Sequence, residues 1–141
     1  MVLGDETVIN KVKNICLRIA EASQEGLMDD GSMIYEKFFN SDRIDSDRHW
    51  WVQAETVIGF LNAYYISRKE KFLERSLAAW RFIADHIIDR KNGEWYWSVD
   101  KNLQPNIKDD KAGFWKCPYH DSRMCLEIIE RQEGIQEMIR S

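Results

Sequence analysis

The residues best suited to chemistry gather in Trp115-Lys116-Cys117-Pro118-Tyr119-His120, which runs on into Asp121-Ser122-Arg123. Pro118 fixes φ and carries no amide proton, so it suits the first position of a helix. The following Met124-Cys125-Leu126-Glu127-Ile128-Ile129-Glu130 has helix formers, with apolar residues at 124, 125, 128 and 129. His120 is therefore expected in the first turn of a helix, with Trp115 on the loop approaching it. The positive end of the helix dipole disfavours an imidazolium there, leaving a ring able to accept a proton. A neutral imidazole beside an aromatic wall suits proton transfer on a sugar. A buried loop tryptophan and a locally capping histidine would use the same residues, and these positions alone do not separate the two.

A second group sits in a helix expected from about Arg48 to Ser67, with Asp47 as a plausible N-cap. It carries Trp50, Trp51, Val57, Ile58, Phe60, Leu61, Ala63 and Tyr64, so it is apolar nearly all round and expected to be buried on most sides. Trp51 and Glu55 lie four apart and share a face. A carboxylate in such a helix is costly unless it is paired or lines a polar cavity. An ion pair with an arginine would hold it, and so would a pocket wall. Gln53 and Asn62 add polar groups to the same helix and favour the pocket.

The elements that must position these groups follow from composition and periodicity. A chain of 141 residues fits a single domain, 1–141, with enough length to bury a core. Hydrophobic content of 44% against 31% charged residues excludes a disordered composition. Net charge is −4 with scattered lysines and arginines, which argues against nucleic-acid binding. No apolar run reaches membrane-spanning length, and the N-terminus has no basic start with an apolar middle. Cys16, Cys117 and Cys125 are odd in number and widely spaced, as in a reduced, cytoplasmic protein. The three histidines have no paired-ligand spacing, so no metal site is expected.

A first amphipathic helix is expected from about Glu6 to Glu25, striped by Val8, Ile9, Val12, Ile15, Cys16 and Ile19 and capped by a left-handed Gly26. A third is expected from about Lys69 to Arg90, buried along Phe72, Leu73, Leu77, Trp80, Ile83, Ala84, Ile87 and Ile88 and closed by Gly93. His86 reads as a boundary histidine on that helix. A short strand is expected at Met33-Ile34-Tyr35, and a hairpin over Glu94-Trp95-Tyr96-Trp97-Ser98-Val99-Asp100 with a turn at Asp100-Lys101-Asn102. The fourth helix is expected from Pro118 to about Glu133, ending near Gly134. The chain thus repeats helix, long connection, helix, with connections at 27–47 and 91–117. Outer and inner helices would alternate, and both inner helices would start at one mouth, bringing Trp50, Trp51 and Glu55 to Trp115 and His120. Four helices do not close a barrel.

Trp50-Trp51-Val52-Gln53-Ala54-Glu55, Gly93-Glu94-Trp95-Tyr96-Trp97 and Trp115-Lys116-Cys117-Pro118-Tyr119-His120 resemble the C-terminal part of the N-acylglucosamine 2-epimerase family, its cellobiose 2-epimerase branch above all. The resemblance implies an all-α fold, part of an (α/α)6 barrel of inner and outer helices. It also implies an isomerase that removes the C2 proton of a ring-opened reducing-end aldose through an enediol-like intermediate, without metal or nucleotide. Two histidines share the proton transfer in the family, and His120 matches one of them. Trp51, Trp50 and Trp115 match sugar-contacting aromatics, and Glu55 matches the acid of the Trp-Trp-x-Gln-Ala-Glu motif. Arg123 is carried over as a motif neighbour. Asp121 departs from the asparagine common in relatives, and a carboxylate beside His120 would favour its protonated form. The partner histidine of the family falls upstream of the stretch matching Glu6–Glu25. The chain is therefore expected to be the last third of such a barrel, with little or no epimerase activity alone. Its expected partners are a small-molecule sugar, and further copies of itself or the missing barrel helices. A non-catalytic helical module that binds sugar or self-associates is the alternative. A lyase or hydrolase on the same barrel ranks last, because it would need a second acid at the mouth.

Overall fold

The computed structural model of the chain describes residues 4–140, with side chains through residue 132. Its helices are α1 Glu6–Ser23, α2 Trp50–Ser67, α3 Glu70–Phe82 and α4 Tyr119–Arg140. Two short antiparallel pairs accompany them, β1 Glu36–Lys37 with β2 Ile44–Asp45, and β3 Arg48–His49 with β4 Ser98–Val99. α2 is the hub on which α1, α3 and α4 all pack. Its burial on most sides is as expected from its apolar circumference.

The β3–β4 pairing sets where α2 begins. The Trp50 amide donates to the Trp97 carbonyl at 3.0 Å, and His49, not Asp47, occupies the cap position with no side-chain cap. A strand partner satisfies the amide that Asp47 was expected to serve. The expected hairpin is real but shorter, since only Ser98–Val99 of the 94–100 run is strand. Val99 bridges to Pro105, and Asp100 accepts from the Asn102 and Gln104 amides at 2.8 and 2.9 Å to close the turn. Met33-Ile34-Tyr35 is not a strand. Met33 makes one bridge to Leu27, and regular pairing starts at Glu36.

Two glycines explain how the 24–35 segment lies so close to the helices. α1 ends in a 3-10 turn, Gln24–Gly26, and Gly26 is not left-handed as expected. A Cβ there would come within 2.7 Å of the Met33 sulfur, so the position serves close approach. Gly31 has φ +86°, and a Cβ on it would stand 2.8 Å from the Ala78 carbonyl carbon. Buried Gln53 holds the same segment, accepting from the Met33 amide at 2.9 Å and donating to its carbonyl at 2.8 Å. Gln53 thus ties a loop to α2 and does not add to the polar wall expected around Glu55.

α3 buries only part of the expected stripe. Phe72 is buried as expected, but Leu77 and Trp80 are exposed, and Ser76, Ala79 and Phe82 are buried in their place. Small residues let two helix axes approach closely, and the Ser76 hydroxyl donates to the Val57 carbonyl of α2 at 2.8 Å. Beyond Phe82 the chain takes a π-helical turn, Ile83–Ile87, which adds a residue to the turn and keeps Ile83 and Ile87 in the core. The helix stops there, short of Arg90, and the left-handed Gly93 belongs to the turn that follows. At the other end of the chain α4 runs through Gly134, where the helix was expected to stop. One glycine costs a helix about 1 kcal/mol relative to alanine and does not end it.

The apolar stripe of α1 lies open, with Val12 52% and Ile19 60% exposed and only Ala20 buried in that helix. The expected amphipathic helix forms, but nothing among the described residues covers its face. No described helix is long and apolar enough to cross a membrane.

Candidate active site

The first turn of α4 meets the second turn of α2. His120 Nδ1 lies 2.7 Å from Glu55 Oε1, and Arg123, one turn further along α4, grips both oxygens of the same carboxylate. Burial would raise the Glu55 carboxyl, but the hydrogen bonds from Arg123 and then His120 outweigh it and hold it below the ordinary range. An ionised carboxylate can only accept, so the His120 Nδ1 must carry the proton and donate. The lone pair of a neutral ring is then on Nε2. That is the tautomer a general base at this mouth requires.

Three aromatic rings frame the imidazole. Trp50 and Tyr119 stand edge-on with centroids 5.4 and 4.9 Å away, and Trp51 is tilted at 5.7 Å. Trp50 is 3% exposed and belongs to the core, so it supports the histidine and offers no open face to a ligand. Trp51 is 37% exposed, with Tyr35 edge-on to it at 6.2 Å. Trp115 stands apart on the loop, 81% exposed, and its ring meets Phe114 at 5.1 Å. The structure therefore brings Trp50, Trp51, Glu55, His120 and Arg123 together, and leaves Trp115 outside that cluster. Trp51 and Glu55 also line a groove of about 600 Å³ between α1 and α2, whose other walls include Ile19, Met33 and Phe60. Glu55 is both the arginine ion pair and the pocket wall that its sequence left open.

Sequence reasoning passed over several supports. Buried Lys116 donates to the carbonyls of Lys111 and Trp95 at 2.6 and 2.9 Å and to Glu94 Oε1 at 3.2 Å, pinning the loop before α4. Its ammonium also sits 4.9 Å from the Trp50 ring centroid. No local signal marks that role, because its partners lie up to 22 residues away. Tyr35 stacks on His49 at 4.1 Å, and burial pushes the His49 ring down in pKa against the pull of Asp45, Asp47 and Asp109. Asp121 makes no hydrogen bond with His120. Its Oδ1 is buried without a hydrogen-bond partner, as is Arg123 Nε, and it helps raise the nearby Cys125 thiol after burial, the larger cause. Among the described residues no cluster of three or more His, Cys, Asp or Glu could hold a metal ion.

The depressed Glu55 carboxyl makes a pH prediction. A carboxyl lower in the folded state contributes stability above its unfolded pKa, and that contribution disappears as pH falls through the folded value. Urea midpoints followed from about pH 7 to about pH 2 should fall less steeply on the acid side in Glu55→Gln. An unchanged acid limb would mean that the pair contributes no pH-dependent stability.

Four helices packed around α2, with His120, Glu55 and Arg123 meeting between α2 and α4, make up a segment of an (α/α)6 barrel. The family model for N-acylglucosamine 2-epimerase (GlcNAc 2-epimerase) matches residues 4–122. The chain belongs to that family. It is 48% identical over 128 residues to a cellobiose 2-epimerase of Bacteroides fragilis, covering 91% of this chain and 33% of the relative. To one from Dictyoglomus turgidum it is 41% identical, with 92% and 33% covered. A solved sugar epimerase from a ruminal bacterium superposes with TM-score 0.86 at 43% identity, over 92% of this chain and 33% of that one. The cellobiose 2-epimerase structure from Bacillus thermoamylovorans gives 0.76 at 42% identity, over 90% and 31%. The chain spans about a third of the length of the curated relatives it matches.

Proposed function

We propose that this chain is the His120-bearing third, the C-terminal part, of a sugar 2-epimerase acting at C2 of a reducing-end aldose such as cellobiose. The observation that carries this reading is the Nδ1 contact of His120 with Glu55, which leaves the Nε2 lone pair free at the mouth. In the ring-opened sugar, Nε2 takes the C2 proton and the C–H electron pair forms the C1–C2 double bond. The π pair of the C1 carbonyl moves onto its oxygen, giving an enediolate, the enediol-like intermediate. Epimerisation also needs a second acid that returns a proton to C2 on the opposite face, and this reading assigns it to the rest of the barrel. Trp51 and, on the loop before α4, exposed Trp115 are the rings on which a sugar would stack.

One histidine supports exchange and not epimerisation, so the isolated chain is expected to form little or no epimer. The open stripe of α1 supports association, either with further copies or with the remaining helices of a barrel. The three free cysteines support a reducing, cytoplasmic setting.

The test is C2 exchange in heavy water with cellobiose, mannose and N-acetylglucosamine, followed by NMR. It is run on the chain alone and with the preceding two-thirds of the Bacteroides fragilis enzyme supplied as a second polypeptide. Exchange without epimer in the first arm, and epimer in the second, is the expected result. Silence in both arms on every sugar would leave the non-catalytic helical module as the better reading.

A further inference from the structure

The seam between α2 and α4 holds a ladder of charges that the proposed proton transfer does not use directly. Arg123, Glu127 and Arg131 recur every four residues on α4 and so form one stripe. Arg123 donates to Glu127 Oε1 at 2.8 Å, and Arg131 donates to Glu127 Oε2 at 2.8 Å. Arg131 also donates to Asn62 Oδ1 at 2.6 Å, anchoring the far end of the ladder to α2 two turns from Glu55. Glu127 thus spends one oxygen on each arginine, and it is only a quarter exposed.

We propose that Glu127 is a positioning residue for the His120–Glu55 pair. It orients the Arg123 guanidinium so that the fork closes on both Glu55 oxygens, and Glu55 so oriented keeps the His120 proton on Nδ1. Arg123 Nε has no partner of its own, so the direction of that side chain rests on its two carboxylates, one on each helix. Without Glu127 the guanidinium keeps its attraction to Glu55 but loses its fixed angle, and the carboxylate is free to turn away from the imidazole. Asn62 and Arg131 act in the same way at one remove, by holding Glu127. The inference rests on His120 as the base, but its readout does not depend on turnover.

The experiment is ¹⁵N NMR of the histidine rings in the 141-residue chain at about pH 8.5, above the ordinary imidazole range. In the unmodified chain the His120 Nδ1 signal is expected at the protonated position and Nε2 at the unprotonated one. Glu127→Gln replaces one oxygen with an amide nitrogen that cannot accept from arginine, so the two His120 signals should move toward each other as the tautomers mix. Arg131→Met should give a smaller shift of the same sign, and exposed Glu130→Gln should give none. Unchanged His120 signals in a folded Glu127→Gln chain would overturn the proposal. If that variant does not fold, unchanged signals in Arg131→Met would do so. Failure of C2 exchange would count against the function and leave this readout intact, whereas unchanged His120 signals beside normal exchange would do the reverse.

Discussion

His120→Ala is expected to lower C2 proton exchange on cellobiose by ~10²–10⁴-fold, the range for losing a positioned acid–base group. The loss should appear in kcat with KM little changed, because the imidazole acts on the reacting proton and not on the sugar as a whole. Glu55→Gln tests the same device from behind. An amide that turns its NH₂ toward Nδ1 can no longer select the Nδ1–H tautomer, and Arg123 loses the α2 carboxylate while keeping Glu127. The two variants share one interaction, so their effects should not add. Exchange that survives His120→Ala at full rate would remove the base from this helix altogether.

Trp50→Ala is expected to cost about 3–5 kcal/mol of folding free energy. The indole is buried in the cluster that holds Val57, Ile58, Met124 and Val99, stands edge-on to His120 and lies against the Lys116 ammonium. Its removal opens a cavity at the junction of α2, α4 and the loop that Lys116 pins. Domains of this size keep only about 5–15 kcal/mol in all, so much of the stability goes with one side chain. Trp115→Ala provides the contrast. That ring is exposed, and its removal should change the unfolding free energy by no more than about 0.5 kcal/mol. Equal losses for the two tryptophans, read from urea titrations, would refute the division between a packing tryptophan and an exposed one.

The difference between those tryptophans was not legible in the chain. Both sit in aromatic motifs next to polar residues, and composition treats them alike. What separates them is that Trp50 opens a helix covered on most of its circumference, whereas Trp115 precedes the pinned lysine on a surface loop. The same limit explains α3, where an apolar stripe suggested Leu77 and Trp80 as core. Close approach to α2 selected Ser76 and Ala79, because short side chains let the Ser76 hydroxyl reach the Val57 carbonyl. Gln53 looked like a pocket residue for want of any sign that Met33, twenty positions earlier, would return to meet it.

By itself the sequence determined what depends on neighbours within a turn or two. Four helices, the Trp51–Glu55 face and the place of His120 in a first helical turn all follow from local periodicity and backbone chemistry. Only the tertiary structure decided which carboxylate meets the histidine, since Glu55 and His120 are 65 residues apart and Glu55 and Arg123 are 68. It also decided that the α1 stripe stays open and that the α2 N-terminus is held by a carbonyl from another segment. The physical reason is common to all three. Spacing along a helix sets which side chains share a face, but the partner across that face is chosen by how the helices pack.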